Sequence, residues 1–253
     1  MVFRSRFNAG ENLIKREEGE KAMKKAMKST ILIALISLLF CGTVSAEDAN
    51  LPKDEKKIST LILLKQNWIK PEQEQDDGFF CEGITLYWHH KKNIGLGIDI
   101  DLIPKTDFQR YRAYFTYNIG PWYALAGVST DSVGRNYTQA GAWYFNKHGL
   151  TEVFVDQRLY VATDGNSDTY SDLFVEILHP IAEGITAGVN ASYDHWFSSE
   201  QHNWWMAGPV VYFNDLLGKG WSPYVRVAYE SDIKAGQENN NAIDFRVGLK
   251  ITF

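Results

Sequence analysis

The C-terminal stretch IDFRVGLKITF alternates between two kinds of side chain up to its final residue. The apolar positions are Ile243, Phe245, Val247, Leu249, Ile251 and Phe253. The residues between them are polar or small, and this alternation predicts a β-strand with one apolar and one polar face. A strand at the end of a chain frays unless another strand holds it. The C-terminal strand therefore requires a partner elsewhere in the chain.

Similar segments recur along the rest of the sequence. We expect about twelve strands, near 57–69, 78–90, 93–103, 108–118, 120–129, 135–146, 149–162, 169–179, 183–196, 203–213, 221–231 and 241–253. The connections between them are alternately short and long: NKHG at 146–149 is short, whereas TDGNSDTYS at 163–171 is long and polar. Short turns with Gly and Asn suit β-hairpins. The pattern predicts an up-and-down meander of antiparallel strands.

The N-terminal region predicts export from the cytoplasm. A lysine-rich start at 24–28, an apolar run at 31–40 and the small residues Val-Ser-Ala at 44–46 follow the order of a secretory signal peptide. The apolar run is too short for a membrane-spanning helix, which needs roughly 20 residues. We expect residues 1–46 to be an N-terminal extension plus a cleaved signal peptide, and residues 47–253 to form a single domain.

Alternatives to this processing remain. The leader is an uncleaved anchor in one of them, and Cys41 receives a lipid in another, although Phe40 stands where lipoproteins have a small residue. Met23 or Met27 is an alternative start of the chain.

Charge and cysteine content narrow the functional classes. The whole chain has a net charge of −5, and residues 47–253 have −9, because the leader holds 8 Lys and Arg but only 4 Asp and Glu. An acidic exported chain is a poor ligand for nucleic acid, so we exclude that class. Cys81 is the one cysteine after the leader, so an internal disulfide is excluded.

These features together predict a closed barrel in a membrane. Segments of about ten alternating residues separated by turns are typical of transmembrane β-barrels, and lipid admits only helices or closed sheets. A mean hydropathy of −0.29 agrees with polar residues facing the interior. The eight Trp lie after residue 67, many near segment ends, as expected at membrane interfaces. The predicted fold is all-β, a closed up-and-down antiparallel transmembrane β-barrel of roughly 10 to 14 strands. A soluble exported β-sandwich is the alternative.

The chain end also resembles the C-terminal signature of Gram-negative outer-membrane β-barrel proteins. In that class, a terminal aromatic residue with apolar residues at alternate preceding positions is recognised by the barrel-assembly machinery. The matching residues are Phe245, Val247, Leu249, Ile251 and Phe253. The resemblance implies outer-membrane localisation after export, with outer-membrane lipid and the assembly machinery as partners. It covers about ten residues and implies no particular function.

The same alternation places charged residues inside the predicted barrel. The candidates for lumen and selectivity residues are Asp99, Asp101, Arg110, Arg112, Glu152, Asp156, Arg158, Asp172, Glu176, Arg226, Asp244 and Arg246, with Asp194, Glu230 and Lys250 beside them. The turn at 104–107 sets Asp101 opposite Arg110 and Asp99 opposite Arg112. The turn near Gly165 sets Arg158 opposite Asp172. Such cross-strand pairs stabilise a sheet by about 0.2–1 kcal/mol each.

Two functions follow from a charged interior. The first is a passive channel, similar to a porin, for small polar solutes, in which rings of charge select the solute. The acidic excess favours cations or neutral solutes. The second is a structural or surface-interaction barrel whose interior is closed by the same charged residues.

A lipid hydrolase is a third interpretation, which we do not expect. Outer-membrane phospholipases have a His and a Ser two residues apart on the outer face of a strand, followed by Asn. In YDHWFSSEQHNWW, Ser198 lies three residues after His195 and so faces the opposite way, and Asn follows neither Ser198 nor Ser199. Nucleophile and base must lie within hydrogen-bond reach.

We expect neither a metal nor a cofactor. His89 and His90 are adjacent, so on a strand they point to opposite faces. The DGNSD stretch at 164–168 lacks the later Glu of a calcium loop.

Overall fold

The computed structural model describes residues 59–71, 78–90, 93–165, 167–198, 203–233 and 240–253. The predicted signal peptide at 1–46 and the start of the predicted domain lie outside these residues. No helix in the described ranges is long and apolar enough to cross a membrane. The strands are β1 (Ser59–Pro71), β2 (Phe79–His90), β3 (Ile94–Ile103), β4 (Phe108–Ile119), β5 (Trp122–Asp131), β6 (Asn136–His148), β7 (Thr151–Ala162), β8 (Tyr170–Ala182), β9 (Ile185–Trp196), β10 (Asn203–Phe213), β11 (Trp221–Ile233) and β12 (Asn240–Thr252).

These twelve strands form one closed antiparallel barrel in which each strand pairs with its sequence neighbours. The predicted fold class is therefore confirmed. The ring closes where β12 pairs with β1, in a register that runs from Leu61 opposite Thr252 to Pro71 opposite Ala242. The backbone N–H of Phe253 donates to the carbonyl oxygen of Thr60 at 3.0 Å. The terminal aromatic residue is thus held by the first strand.

Most short connections lie at one end of the barrel and most longer ones at the other, and 104–107 and 214–220 are exceptions. At the short-turn end, β4 and β5 are joined by 120–121, β6 and β7 by 149–150, and β8 and β9 by 183–184. Gly149 has φ +63, a left-handed conformation that favours glycine in a two-residue hairpin turn. The other end, which we call the long-loop end, carries connections such as 163–169. The chain end at Phe253 lies at the short-turn end.

The surface of the barrel is inverted relative to that of a soluble protein. On β3, the outward residues Ile94, Leu96 and Ile98 are 43%, 37% and 40% exposed, whereas the inward Asp99 is 5% exposed. Exposed apolar residues also cover the other strands, among them Phe115, Val128, Val189, Val227 and Val247. A charged interior inside an apolar outer face fits lipid and not water. The protein is a transmembrane β-barrel, and the soluble β-sandwich is excluded.

The tryptophans follow the expected interfacial positions only in part. Trp68, Trp88 and Trp122 are exposed on the outer face. Trp143 and Trp196 are 8% and 5% exposed and pack among inward-facing aromatic rings. Position near a strand end was therefore the wrong criterion for these two residues, because it is parity along the strand that decides which face a side chain occupies.

Candidate functional site

The charged interior is the candidate functional site. The cross-strand registers expected from the sequence are confirmed: Asp99 is opposite Arg112, Asp101 is opposite Arg110, and Arg158 is opposite Asp172. The ion pairs, however, mostly do not follow these registers. Arg112 binds both Asp101 and Asp99, and Arg158 binds neither Asp172 nor any other residue of β8 within the described strands. Long side chains reach beyond the residue directly opposite.

Six side chains form what we call the cross-bore network: Lys65, Asp99, Asp101, Arg112, Asp156 and Arg158. Lys65 Nζ lies 3.0 Å from Asp101 Oδ1, and Arg112 bridges Asp101 and Asp99, with its Nε 3.4 Å from Asp99 Oδ2. Arg158 holds Asp156 with Nε and Nη2, at 2.7–3.0 Å. Three basic and three acidic groups neutralise one another, so the network carries no net charge.

Arg158 links two parts of the wall that are distant in the ring. Its Nη1 donates to Asp99 Oδ2 at 3.2 Å, which joins β7 to β3 past the three intervening strands. The guanidinium lies 4.7 Å from the ring centroid of Tyr114 and 5.6 Å from that of Trp143. A cation over aromatic rings is further stabilised by their negative faces. Arg158 is 6% exposed, so this contact narrows the bore with a buried ion pair.

The position of the Tyr114 ring depends on the glycine opposite it, which has no side chain. Gly97 is directly opposite Tyr114, and a Cβ atom on Gly97 would lie 2.1 Å from two atoms of the Tyr114 ring. The ring therefore lies across Gly97, and the Tyr114 hydroxyl donates to Asp99 Oδ1 at 3.3 Å. Alternation of Gly and Asp along β3 thus serves two purposes, since the glycines make room for rings and the aspartates receive their donors.

A second set of charged and polar side chains connects the first strand to the last two, where the ring of strands closes. We call it the seam network: Asn67 on β1, Arg226 on β11, and Asp244 and Arg246 on β12. Asp244 accepts hydrogen bonds from Arg226 Nη2 and from Asn67 Nδ2, the latter at 3.0 Å. Arg246 Nε donates to Asn67 Oδ1 at 2.7 Å. These contacts bind the last two strands to the first. Asn67, Arg226 and Asp244 are buried, and Arg246 is half-buried.

The remaining predicted acids have different surroundings. Glu176 accepts hydrogen bonds from Tyr212 Oη at 3.2 Å and from Asn190 Nδ2 at 3.4 Å. Asp172 is directly opposite Asp194. Neither of these aspartates forms an ion pair with the described strands, and the same holds for Glu176. Glu152 lies at the short-turn rim, where it pairs with Lys147 at 3.3 Å.

Unlike the other predicted arginines, Arg110 forms no ion pair with a described residue. It lies 5.5 Å from the ring centroid of Phe108. On β5, the residue opposite Arg110 is Asp131, and this carboxylate pairs with Arg135 at 2.7 Å.

Interior residues that were not among the candidates include Lys65, Asn67, Asn190 and Tyr212. Lys65 and Asn67 lie on β1, whose alternation is ambiguous because both faces carry apolar residues. Their charge and polarity were the available signal for the inner face of that strand. Asn190 and Tyr212 fall on the polar face of their segments, but only their contact with Glu176 distinguishes them.

The histidine considered for lipid hydrolysis packs against aromatic rings. His195 lies 5.0 Å from the ring centroid of Phe197 and 6.2 Å from that of Tyr193. Its cross-strand partner is Ser171, and no hydrogen bond joins His195 to a serine within the described strands. Ser199 lies outside the described residues.

Comparison with known proteins identifies the fold. No protein-family model matches the chain, and no curated protein matches it. Among solved structures, the KdgM porin aligns with a TM-score of 0.52 and 14% identity over 76% of this chain and 99% of that chain. The KdgM porin in complex with disordered oligogalacturonate aligns with a TM-score of 0.53 at the same identity and coverage. The NanC porin aligns with a TM-score of 0.53 and 8% identity over 75% of this chain and 98% of that chain. At these identities the likeness concerns the fold alone, a β-barrel shared with structures described as porins.

Proposed function

We propose that this protein is a passive channel for small polar solutes in the outer membrane of a Gram-negative bacterium. The observation that carries the proposal is the lining of the barrel, in which charged and hydrogen-bonding side chains from most strands face the interior inside an apolar outer face. A closed lipid-facing barrel needs no charge in its interior, and buried ion pairs are weak stabilisers compared with apolar packing. Charged linings select solutes in known channels.

The porin-like fold supports the same function. The three structures named above are described as porins. One of them is described in complex with oligogalacturonate, a polymer of acidic sugars. Uncompensated acids line β8 and β9 of the present chain, so we do not propose an acidic sugar as its solute.

Localisation and assembly belong to the same proposal. We infer that residues 1–46 are removed on export, that outer-membrane lipid surrounds the barrel, and that the assembly machinery recognises Phe245, Val247, Leu249, Ile251 and Phe253. The exposed faces of Phe245, Val247 and Phe253 support this inference, since they are 42%, 41% and 49% exposed on the outer surface.

The closed structural barrel is the second candidate, and one observation favours it. The contact between Arg158 and Asp99 spans part of the bore and narrows the path of any solute. The two functions make opposite predictions for ion flow.

Single-channel recording in a planar bilayer separates them. The protein is purified in detergent from membranes of cells that express the full chain, so that export and assembly proceed normally. Current steps of reproducible size support the channel. A folded, heat-modifiable barrel that carries no current rejects it in favour of the structural barrel.

A further inference from the structure

The interior charges are distributed unevenly around the ring. In the cross-bore network, on β1, β3, β4 and β7, every acid has a basic partner within 4 Å. The seam network on β1, β11 and β12 pairs Asp244 with Arg226. Three further acids, Asp172, Glu176 and Asp194, have no basic partner at this distance among the described residues. All three lie on β8 and β9.

The contacts of Arg158 explain why Asp172 has no basic partner. The register sets Arg158 opposite Asp172, but its donors are directed to Asp156 and Asp99. Asp172 is left facing Asp194 on its other side. The two carboxyl groups lie within hydrogen-bond reach of each other, which requires one of them to carry a proton. The pair then keeps a single negative charge, which attracts a cation that enters the bore.

The amide of Asn190 independently indicates a binding position beside Glu176. It is 5% exposed, and its Nδ2 donates to Glu176, which determines the orientation of the amide. The amide oxygen then has no hydrogen-bond partner among the described residues. A buried acceptor without a partner is energetically unfavourable. A ligand with N–H donors and a positive charge satisfies both Asn190 Oδ1 and Glu176.

The three acids lie along one line of the inner wall. Asp172 and Glu176 are four residues apart on β8, which places them about 13 Å apart at the usual rise of a strand. Ser192 lies between Asn190 and Asp194 on the inner face of β9 and is opposite Phe174. The line therefore runs from the Asp172–Asp194 pair, past Ser192, to Glu176 and Asn190.

We propose that this line, which we call the β8–β9 track, binds and selects solutes that carry a primary ammonium group. The inference rests on the proposed channel function and names its solute class. Asp172 and Asp194 attract the cation, and Glu176 with Asn190 receives its N–H donors. Asp99 and Asp101 do not set the selectivity, because basic partners neutralise them. The residues that determine specificity therefore lie on one side of the interior.

Chemical modification of a cysteine on the track tests this proposal without altering any native charge. Cys41 and Cys81 are replaced by Ser, and Ser192→Cys is introduced on the track. The matched control is Thr85→Cys, a half-buried inward position on β2 directly opposite Asp99. Both new cysteines lie next to an aspartate, but Asp99 is neutralised by two arginines. Methanethiosulfonate reagents bearing an ethylammonium or an ethylsulfonate group are compared at low salt, and adduct formation is followed by mass spectrometry on the folded protein.

The ethylammonium reagent is expected to react much faster than the sulfonate at Ser192→Cys, and not at Thr85→Cys. In water, a carboxylate about 7 Å away changes the ratio of the two rates roughly five- to tenfold. Adding Glu176→Gln, or Asp172→Asn together with Asp194→Asn, to Ser192→Cys is expected to reduce the ratio by that factor. A trimethylammonium reagent, which has charge but no N–H donor, is expected to gain less than the ethylammonium reagent.

Equal ratios at the two cysteines, or a ratio that is insensitive to Glu176→Gln, would overturn the β8–β9 track. The mass readout requires no ion flow. A barrel without current but with the expected ratios at Ser192→Cys therefore rejects the channel and retains the cation site. A conducting barrel with equal ratios at the two cysteines retains the channel and rejects the cation site.

Discussion

Arg158 on β7 reaches Asp99 on β3, 59 positions away in the chain, with Nη1 3.2 Å from Oδ2. Both side chains are nearly buried, at 8% and 7% exposure. The pair is the contact by which one part of the barrel wall meets another across the interior. Its consequences for passage and for stability differ from those of pairs between adjacent strands.

Removal of this contact is expected to widen the bore. The double variant Arg158→Gln/Asp99→Asn keeps the net charge and eliminates the ion pair, so single-channel conductance is expected to rise. The control is Lys147→Gln/Glu152→Gln, which also keeps the net charge but removes a pair between adjacent strands at the rim. Its conductance is expected to match that of the native protein. An unchanged conductance in Arg158→Gln/Asp99→Asn would show that the contact does not limit passage.

Asp244→Asn is expected to weaken the closure of the barrel. The substitution leaves Arg226 and Arg246 on neighbouring positions of β11 and β12 without their carboxylate. Loss of one partner from a buried ion pair costs about 3–5 kcal/mol, to be measured as a fall in the free energy of unfolding in urea. Glu152→Gln is the comparison, since an exposed pair contributes at most about 1 kcal/mol. Similar midpoints for the two variants would contradict the role of the seam network.

Gly97→Ala is expected to destabilise the barrel through a single neighbour. The new Cβ would meet the ring of Tyr114, which is 1% exposed and has little room to move. Overpacking of this kind costs about 1–3 kcal/mol. In a Tyr114→Ala background the same substitution is expected to cost much less, so the two changes are non-additive. Additive free energies of unfolding would show that the ring does not depend on Gly97.

Phe253→Ala is expected to reduce assembly in cells more than stability. The backbone bonds of residue 253 to Thr60 survive the substitution, whereas the terminal aromatic side chain is lost. We expect less heat-modifiable barrel in the outer-membrane fraction and nearly native refolding in detergent. The control is Phe115→Ala, an exposed outward aromatic residue on β4 away from the chain end. Equal losses for both variants would show that the terminal position has no special role.

The strands and their registers could be predicted from particular sequence features. Gly and Asn in short connections determined where hairpins turn, and each turn then determined the register, as for Asp99 opposite Arg112. The ion pairs could not be predicted in the same way. The side chain of Arg158 spans several ångströms, so it has several carboxylates within reach, and alternation along β7 does not choose among them.

The interior residues of β1 could not be predicted from the sequence either. Lys65 and Asn67 were missed as interior residues because apolar side chains occupy both faces of the strand. Asp101, the partner of Lys65, lies on β3, beyond the intervening β2. Asp244, the partner of Asn67, lies on β12 and becomes a neighbour only when the ring closes.

The sequence by itself determined the strands, the inward and outward faces of most of them, the closed barrel and the presence of charges inside it. These properties follow from the two-residue alternation of side chains and from local turn chemistry, both of which depend on residues close together in the sequence. Only the tertiary structure decided which charges neutralise one another, that Arg158 crosses to Asp99, and that Asp172, Glu176 and Asp194 on β8 and β9 have no basic partner within 4 Å among the described residues. Those outcomes depend on distances between strands that are far apart in sequence, and closure of the ring sets these distances.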